Sequence, residues 1–193
     1  MRPTSLKGLI PLLAKSLGMT PAAIYERQRA LVRAGLLHTR PGRGPGSGVP
    51  ADAKSVAMLL ISVLATGSLS EVEEQTKAIA NLKSVSGRCP VTGKKTFAAA
   101  LIATLNSKQL LDRALHATAR RSGAGAMASI VFMKKPIAEA DFSSPPSFEK
   151  DAEDSKFGLD SHTFYLKTFA HLTMEATINL WGTLRDVELE QSK

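Results

Sequence analysis

Between Arg40 and Gly48, six of nine positions are proline or glycine. No regular helix passes through such a run, and it divides two helix-rich stretches. It reads as a linker, or as the tip of a hairpin carrying Arg40 and Arg43, with Leu37-His38-Thr39 and Val49 as short flanking strands. Upstream, Leu6, Leu9, Ile10, Leu13 and Leu17 recur at steps of three and four, the spacing of one helix face. Pro11 fits only a first turn or a kink, so the regular helix is expected over about Ile10–Leu17. Gly18 supplies the left-handed residue that ends it. Thr20-Pro21 then sets an N-cap followed by proline at the first helical position, opening a second helix to about Ala34. Gly35 stops that helix, and Leu36-Leu37 returns to the core.

The chain has 193 residues, 44% of them apolar and 22% charged, a globular balance sufficient for one domain or two small ones. A single cysteine, Cys89, allows no intrachain disulfide and points to a reducing compartment. The densest apolar run, Val56 to Ala65, is too short to cross a bilayer. The apolar stretch ending at Leu13 is a weak match to a signal peptide, but Lys15 follows and no small-x-small cleavage site appears. A soluble, cytoplasmic protein without a membrane partner is therefore expected. Charge is uneven: residues 1–50 carry +7, residues 51–125 carry +5 and residues 126–193 carry −4. A +7 stretch with one acid favours a polyanion, through phosphate neutralisation and counterion release; the plainer alternative is a solvated basic surface.

Downstream, Asp52 caps a helix over about Ala53–Ala65 that is apolar nearly all round, so the fold or a second copy should enclose it. Ser70-Glu71-Val72-Glu73 reads as a capping box opening a helix to about Lys83. Residues 84–93 read as a loop, Lys95–Leu105 as a helix, and Ser107 as the cap of another through about Ala114. Alternation at 115–120 and the apolar run Met127–Met133 flank Ser122-Gly123-Ala124-Gly125, which predicts a β-hairpin. Residues 143–161, acidic and rich in Ser and Pro, read as a long exposed loop. Alternation over His162–Leu172 suggests a third strand. Thr173 can cap a last helix bearing Ile178, Trp181, Leu184 and Val187, although strand stays open to Leu180. The expected class is α+β, mainly α. A DNA-binding unit would occupy 1–67, and a self-association or effector unit 68–193.

Two helices joined by Gly18-Met19 can present the second to a major groove. Ile24, Leu31, Leu36 and Leu37 would face inward. Thr20, Ala22, Tyr25, Glu26, Arg29 and Arg33 would face outward, with Lys15 at the end of the first helix. Thr20 and Tyr25 can bond phosphate, Arg29 can pair bidentately with guanine, and Arg40 and Arg43 can grip phosphate or enter a minor groove. The structural alternative is an ordinary αα-hairpin with a flexible linker.

The stretches Leu17-Gly18-Met19-Thr20-Pro21-Ala22-Ala23-Ile24-Tyr25, Leu31-Val32-Arg33-Ala34-Gly35-Leu36-Leu37 and Arg40-Pro41-Gly42-Arg43-Gly44 resemble winged helix-turn-helix transcription regulators of the GntR class, with MarR-type proteins near. The resemblance covers about 40 of 193 residues. It implies DNA-contacting roles for Thr20, Ala22, Tyr25, Arg29, Arg40 and Arg43. This sequence departs from the pattern by placing Gln28 at a usually apolar position and lengthening the wing with Pro45-Gly46-Ser47-Gly48. It also leaves few residues before the first helix, so helix 53–65, from the same chain or a partner copy, is expected to cover the exposed core face. The implied protein is a bacterial or phage transcription regulator that binds a double-stranded operator as a homodimer. The alternative is a DNA-binding adaptor in a packaging or segregation assembly, whose acidic C-terminal part docks a protein.

Other constellations are weak. Gly87 to Thr96 has five residues between its glycines and a second lysine before its threonine, so it departs from a phosphate-binding P-loop; Thr92 reads as the cap of the next helix. Arg88, Lys94 and Lys95 could activate Cys89, although a packed loop cysteine is the plainer reading. His38, His116, His162 and His171 lack metal-ligand spacing, and Glu149, Asp151, Glu153, Asp154 and Asp160 lack calcium-loop spacing. Trp181, Phe164 and Phe169 could line a ligand pocket, although core packing is the plainer reading. No enzyme activity, cofactor or metal is expected.

Overall fold

The computed structural model describes residues 5–42, 47–122, 125–134, 152–158 and 168–171. The fold is α+β. Its elements are α1 (Leu6–Ser16), α2 (Pro21–Arg33), α3 (Ala53–Ala65), α4 (Val72–Ala80), α5 (Phe97–Asn106), α6 (Lys108–Leu111), β1 (Ala114–Ser122), β2 (Gly125–Met133), β3 (Ala152–Gly158) and β4 (Thr168–His171). The strands form one antiparallel sheet in the order β3-β2-β1-β4.

Both N-terminal helices end in the same way. At α1, Met19 N–H donates to Ala14 O (2.9 Å) and Gly18 N–H to Lys15 O (3.3 Å). At α2, Leu36 N–H donates to Leu31 O (2.9 Å) and Gly35 N–H to Val32 O (3.0 Å). This closure needs a left-handed residue after the cap, and Gly18 and Gly35 stand there at φ +63° and +69°. The Thr20 hydroxyl accepts from Ala23 N–H at 3.2 Å and Pro21 takes the first helical position, as the sequence predicts.

The α1 start departs from expectation: the helix begins at Leu6 and holds Pro11 in its interior. Pro11 cannot donate to Lys7 O, but both residues are exposed, so water can take that carbonyl. Leu6 N–H is satisfied by Val49 O at 2.8 Å. Arg40 and Gly48 exchange two backbone hydrogen bonds (2.8 and 3.0 Å), and Pro50 bridges Ser5. The 48–50 segment therefore lies between Arg40 and Ser5, with a backbone partner on each side.

Helix α3 is the centre of the molecule. It packs against α2, α4, α5 and the sheet, and the fold itself encloses its apolar surface, leaving only Lys54 fully exposed. One apolar cluster runs from Leu6 through α3 to Phe157 and is continuous across residue 67. Asp52 caps α3, its Oδ1 accepting from Ser55 N–H at 2.7 Å in a buried setting. Asp52→Ala should lower the unfolding free energy by about 1–2 kcal/mol in urea denaturation, while Asp52→Asn should stay within about 0.5 kcal/mol because the cap oxygen remains.

The hairpin β1–β2 forms where alternation predicts it. Four expectations are corrected. Residues 152–158, expected inside an exposed acidic loop, form β3 paired along β2. Ser155 and Phe157 point into the core while Asp154 and Lys156 face out, so the strand hides its period beneath charge. Helix α4 carries no capping box: Glu71 stands at its N-cap without a side-chain cap, and its carboxylate accepts from Thr66 Oγ1 at 3.1 Å. The cap of α5 is Thr96, accepting from Ala99 N–H at 3.4 Å, not Thr92. Ser107 does cap the short α6, but that helix ends at Leu111 because β1 begins at Ala114. Strand β4 falls within the expected third strand, 162–172, whereas the proposed last helix lies outside the described residues.

Candidate nucleic-acid interface

Helix α2 has two faces. Ile24, Arg27, Gln28 and Leu31 are buried, and Ala22, Tyr25, Arg29 and Arg33 are exposed at steps of three and four, making one outward stripe. The stripe begins beside Thr20, which is itself exposed. Its hydroxyl oxygen is occupied by the cap bond, leaving its proton available to an external acceptor. Tyr25 retains 36% exposure. Lys7 of α1 sits with Nζ 5.7 Å from the Tyr25 ring centroid, a cation–π distance. This adds a cation that sequence reasoning did not place at the stripe, although Lys7 lies on the solvent side of the α1 apolar face.

Arg29 pairs with Glu26 at 3.0 Å, and both side chains are well exposed. Such a pair stabilises little and can exchange for an external acceptor. Lys15 is exposed on the last turn of α1. Arg40 is exposed where the Pro/Gly run begins, whereas Arg43 lies outside the described residues. The structure thus brings Thr20, Ala22, Tyr25, Glu26, Arg29 and Arg33 onto or beside one helix surface. Glu26 is the only acid in residues 1–50.

The inner face holds a residue that sequence reasoning missed. Arg27 is 4% exposed. Its Nη1 donates to Ser62 O at 2.8 Å and its Nη2 to Gly67 O at 3.3 Å. Ser62 is in the last turn of α3, where carbonyls lack helical partners and the dipole is negative, so a cation suits this position. Burial pushes the guanidinium pKa down from its usual value. The signal was available: Arg27 lies three residues after Ile24 and four before Leu31, squarely on the inward stripe. Gln28 beside it is also buried, and its Oε1 has no hydrogen-bond partner among the described residues.

The other constellations resolve plainly. In the P-loop-like stretch, Thr92 N–H donates to Cys89 Sγ (3.3 Å), Gly93 N–H to Cys89 O (2.8 Å) and Lys94 N–H to Thr92 Oγ1 (3.4 Å). These amides are committed internally and form no phosphate cradle. Cys89 is buried, with its thiol 3.3 Å from Ser155 Oγ. Among the described residues no group of three His, Cys, Asp or Glu could hold a metal, and no helix is long and apolar enough to cross a membrane. His162, Phe164 and Trp181 lie outside the described residues. Compared with family models, curated proteins and solved structures, the chain matches none.

Proposed function

We propose that the N-terminal part of this chain is a winged helix-turn-helix module. In this reading α2 enters the major groove of duplex DNA, and the hairpin closed by Arg40 and Gly48 contacts the backbone as a wing. The full chain acts as a transcription regulator, a homodimer occupying an operator. The observation that carries this reading is the exposed Ala22-Tyr25-Arg29-Arg33 stripe on a helix fixed from behind by Ile24, Arg27 and Leu31. Lys7, Lys15 and Arg40 add positive charge to the same N-terminal segment. Arg29, released from Glu26, can take the bidentate position on guanine, while Thr20 and Tyr25 fix register on phosphates. One α2 reads about one half-site, so a dimer would space two such helices roughly 34 Å apart.

Anisotropy titrations of the full chain on selected and random duplexes, across a salt series, test this. Arg29→Ala should bring the two affinities together by about 1–3 kcal/mol of lost discrimination. Equal losses on both duplexes would make Arg29 a phosphate contact only, and unchanged affinities would remove α2 from the groove.

A further inference from the structure

From Gln75 to Leu111 the chain carries six lysines and arginines and no acid. Lys77 is paired with Glu73. Four of the others, Lys83, Arg88, Lys94 and Lys95, sit on the segment between α4 and α5, and all are exposed. That segment is pinned. Val85 N–H donates to Lys156 O (3.1 Å), Gly158 N–H to Lys83 O (2.8 Å), Ser84 N–H to Lys95 O (2.9 Å) and Cys89 N–H to Lys94 O (2.7 Å). Ser84 and its bridge partner Phe157 are buried, so their neighbours Lys83, Val85 and Lys156 point outward together. Arg88 Nη1 donates to Gly93 O at 3.3 Å, which keeps the guanidinium over the turn beside Lys94.

Among the described residues none of these five cations has a carboxylate within ion-pair distance, whereas Arg29, Lys77 and Arg121 elsewhere on the surface each have one. Among the described residues of β3 the acids are Asp154, exposed, and Glu153, half-buried. Holding four like charges on a rigid segment, with a fifth on the strand beside it, is unfavourable without a counter-charge, and a polyanion supplies it.

We propose that Lys83, Arg88, Lys94, Lys95 and Lys156 form a second nucleic-acid surface that binds the sugar–phosphate backbone without reading bases. Four of the five are lysines, point charges suited to single phosphates rather than to bidentate base edges. The segment exposes no aromatic ring on which an unpaired base could stack, so the ligand is a duplex rather than a single strand. This rests on duplex DNA being the chain's ligand but uses residues separate from α2.

The test is the salt dependence of full-chain binding to a random duplex. The variant Lys83→Gln, Arg88→Gln, Lys94→Gln, Lys95→Gln should flatten the log K against log salt slope by about two to four units. It should weaken random and selected duplexes alike and leave the ratio between them intact. Replacing the three lysines by arginine should keep the slope. If the fourfold variant melts early, Lys94→Gln with Lys95→Gln alone should remove about one to two units. An unchanged slope in a folded variant overturns the second surface, even if Arg29→Ala still collapses base preference. A flattened slope beside an inert Arg29→Ala keeps the second surface and refutes the groove-reading α2. No duplex binding by the wild-type chain at low salt overturns both.

Discussion

Arg27→Met is expected to destabilise the protein by about 2–3 kcal/mol, a large loss for a change that preserves the apolar stem and adds no volume. The native guanidinium makes two charge-assisted bonds, to the carbonyls of Ser62 and Gly67. Gly67 is exposed and its carbonyl can turn to water, so the cost falls mainly on Ser62, whose oxygen bonds to Arg27 in a buried site. Arg27→Lys should fall between the two, since an ammonium can reach one carbonyl but not span both. Urea denaturation of the three proteins measures this. A loss under about 0.5 kcal/mol for Met would mean that other donors satisfy Ser62. The same side chain ties the inner face of α2 to the turn after α3. In that turn Ser68 N–H donates to Thr66 Oγ1 (3.0 Å), Thr66 bonds Glu71 (3.1 Å), and Glu71 lies 3.8 Å from Arg121 of β1. If α2 reads DNA, Arg27→Met should also weaken binding, because the outward stripe is only as well placed as the helix that carries it.

What the sequence disclosed was local chemistry. Thr20-Pro21, Gly18, Gly35 and Asp52 each name a backbone requirement that only a few residue types meet, and the elements start or stop where they stand. The hairpin β1–β2 was visible because alternation and a glycine-rich turn agree. The hidden features depend on distant partners. Strand β3 carries Glu153, Asp154 and Lys156 on a seven-residue segment, and only its pairing with β2 and the seat for Phe157 make it a strand. Glu71 leaves its helix start for Thr66 across the preceding turn, which no local pattern announces. Arg27 could be placed only once α3 and the turn after it supplied the carbonyls of Ser62 and Gly67. The site stripe was legible from helical spacing, but its strength depends on that buried arginine. The unpaired charge on the α4–α5 segment became a patch only when β3 placed Lys156 beside it.

Phe97→Ala should cost about 3–5 kcal/mol, the largest single loss expected in the described fold. The ring is fully buried at the first position of α5 and meets Phe157 edge-to-face, centroids 5.5 Å apart at 65°. Removing it takes away the apolar area of a whole ring, opens a cavity under α3 and deprives Phe157 of its partner. The loss should also be spatially specific. Phe157 belongs to β3, and the neighbouring Ser155 covers the Cys89 thiol at 3.3 Å. Loosening β3 should therefore expose that thiol, giving a faster reaction with an aromatic disulfide reagent than the wild type under native conditions. A double-mutant cycle with Phe157→Ala should return a coupling of about 1 kcal/mol, the value for an aromatic pair beyond its area. Phe97→Leu, which refills much of the volume, should recover more than half of the stability and slow the thiol reaction again. If Cys89 stays unreactive in a markedly destabilised Phe97→Ala protein, β3 is held by its backbone bonds to β2 and to Lys83 and Val85, and the ring pair contributes to the helical core without securing the strand.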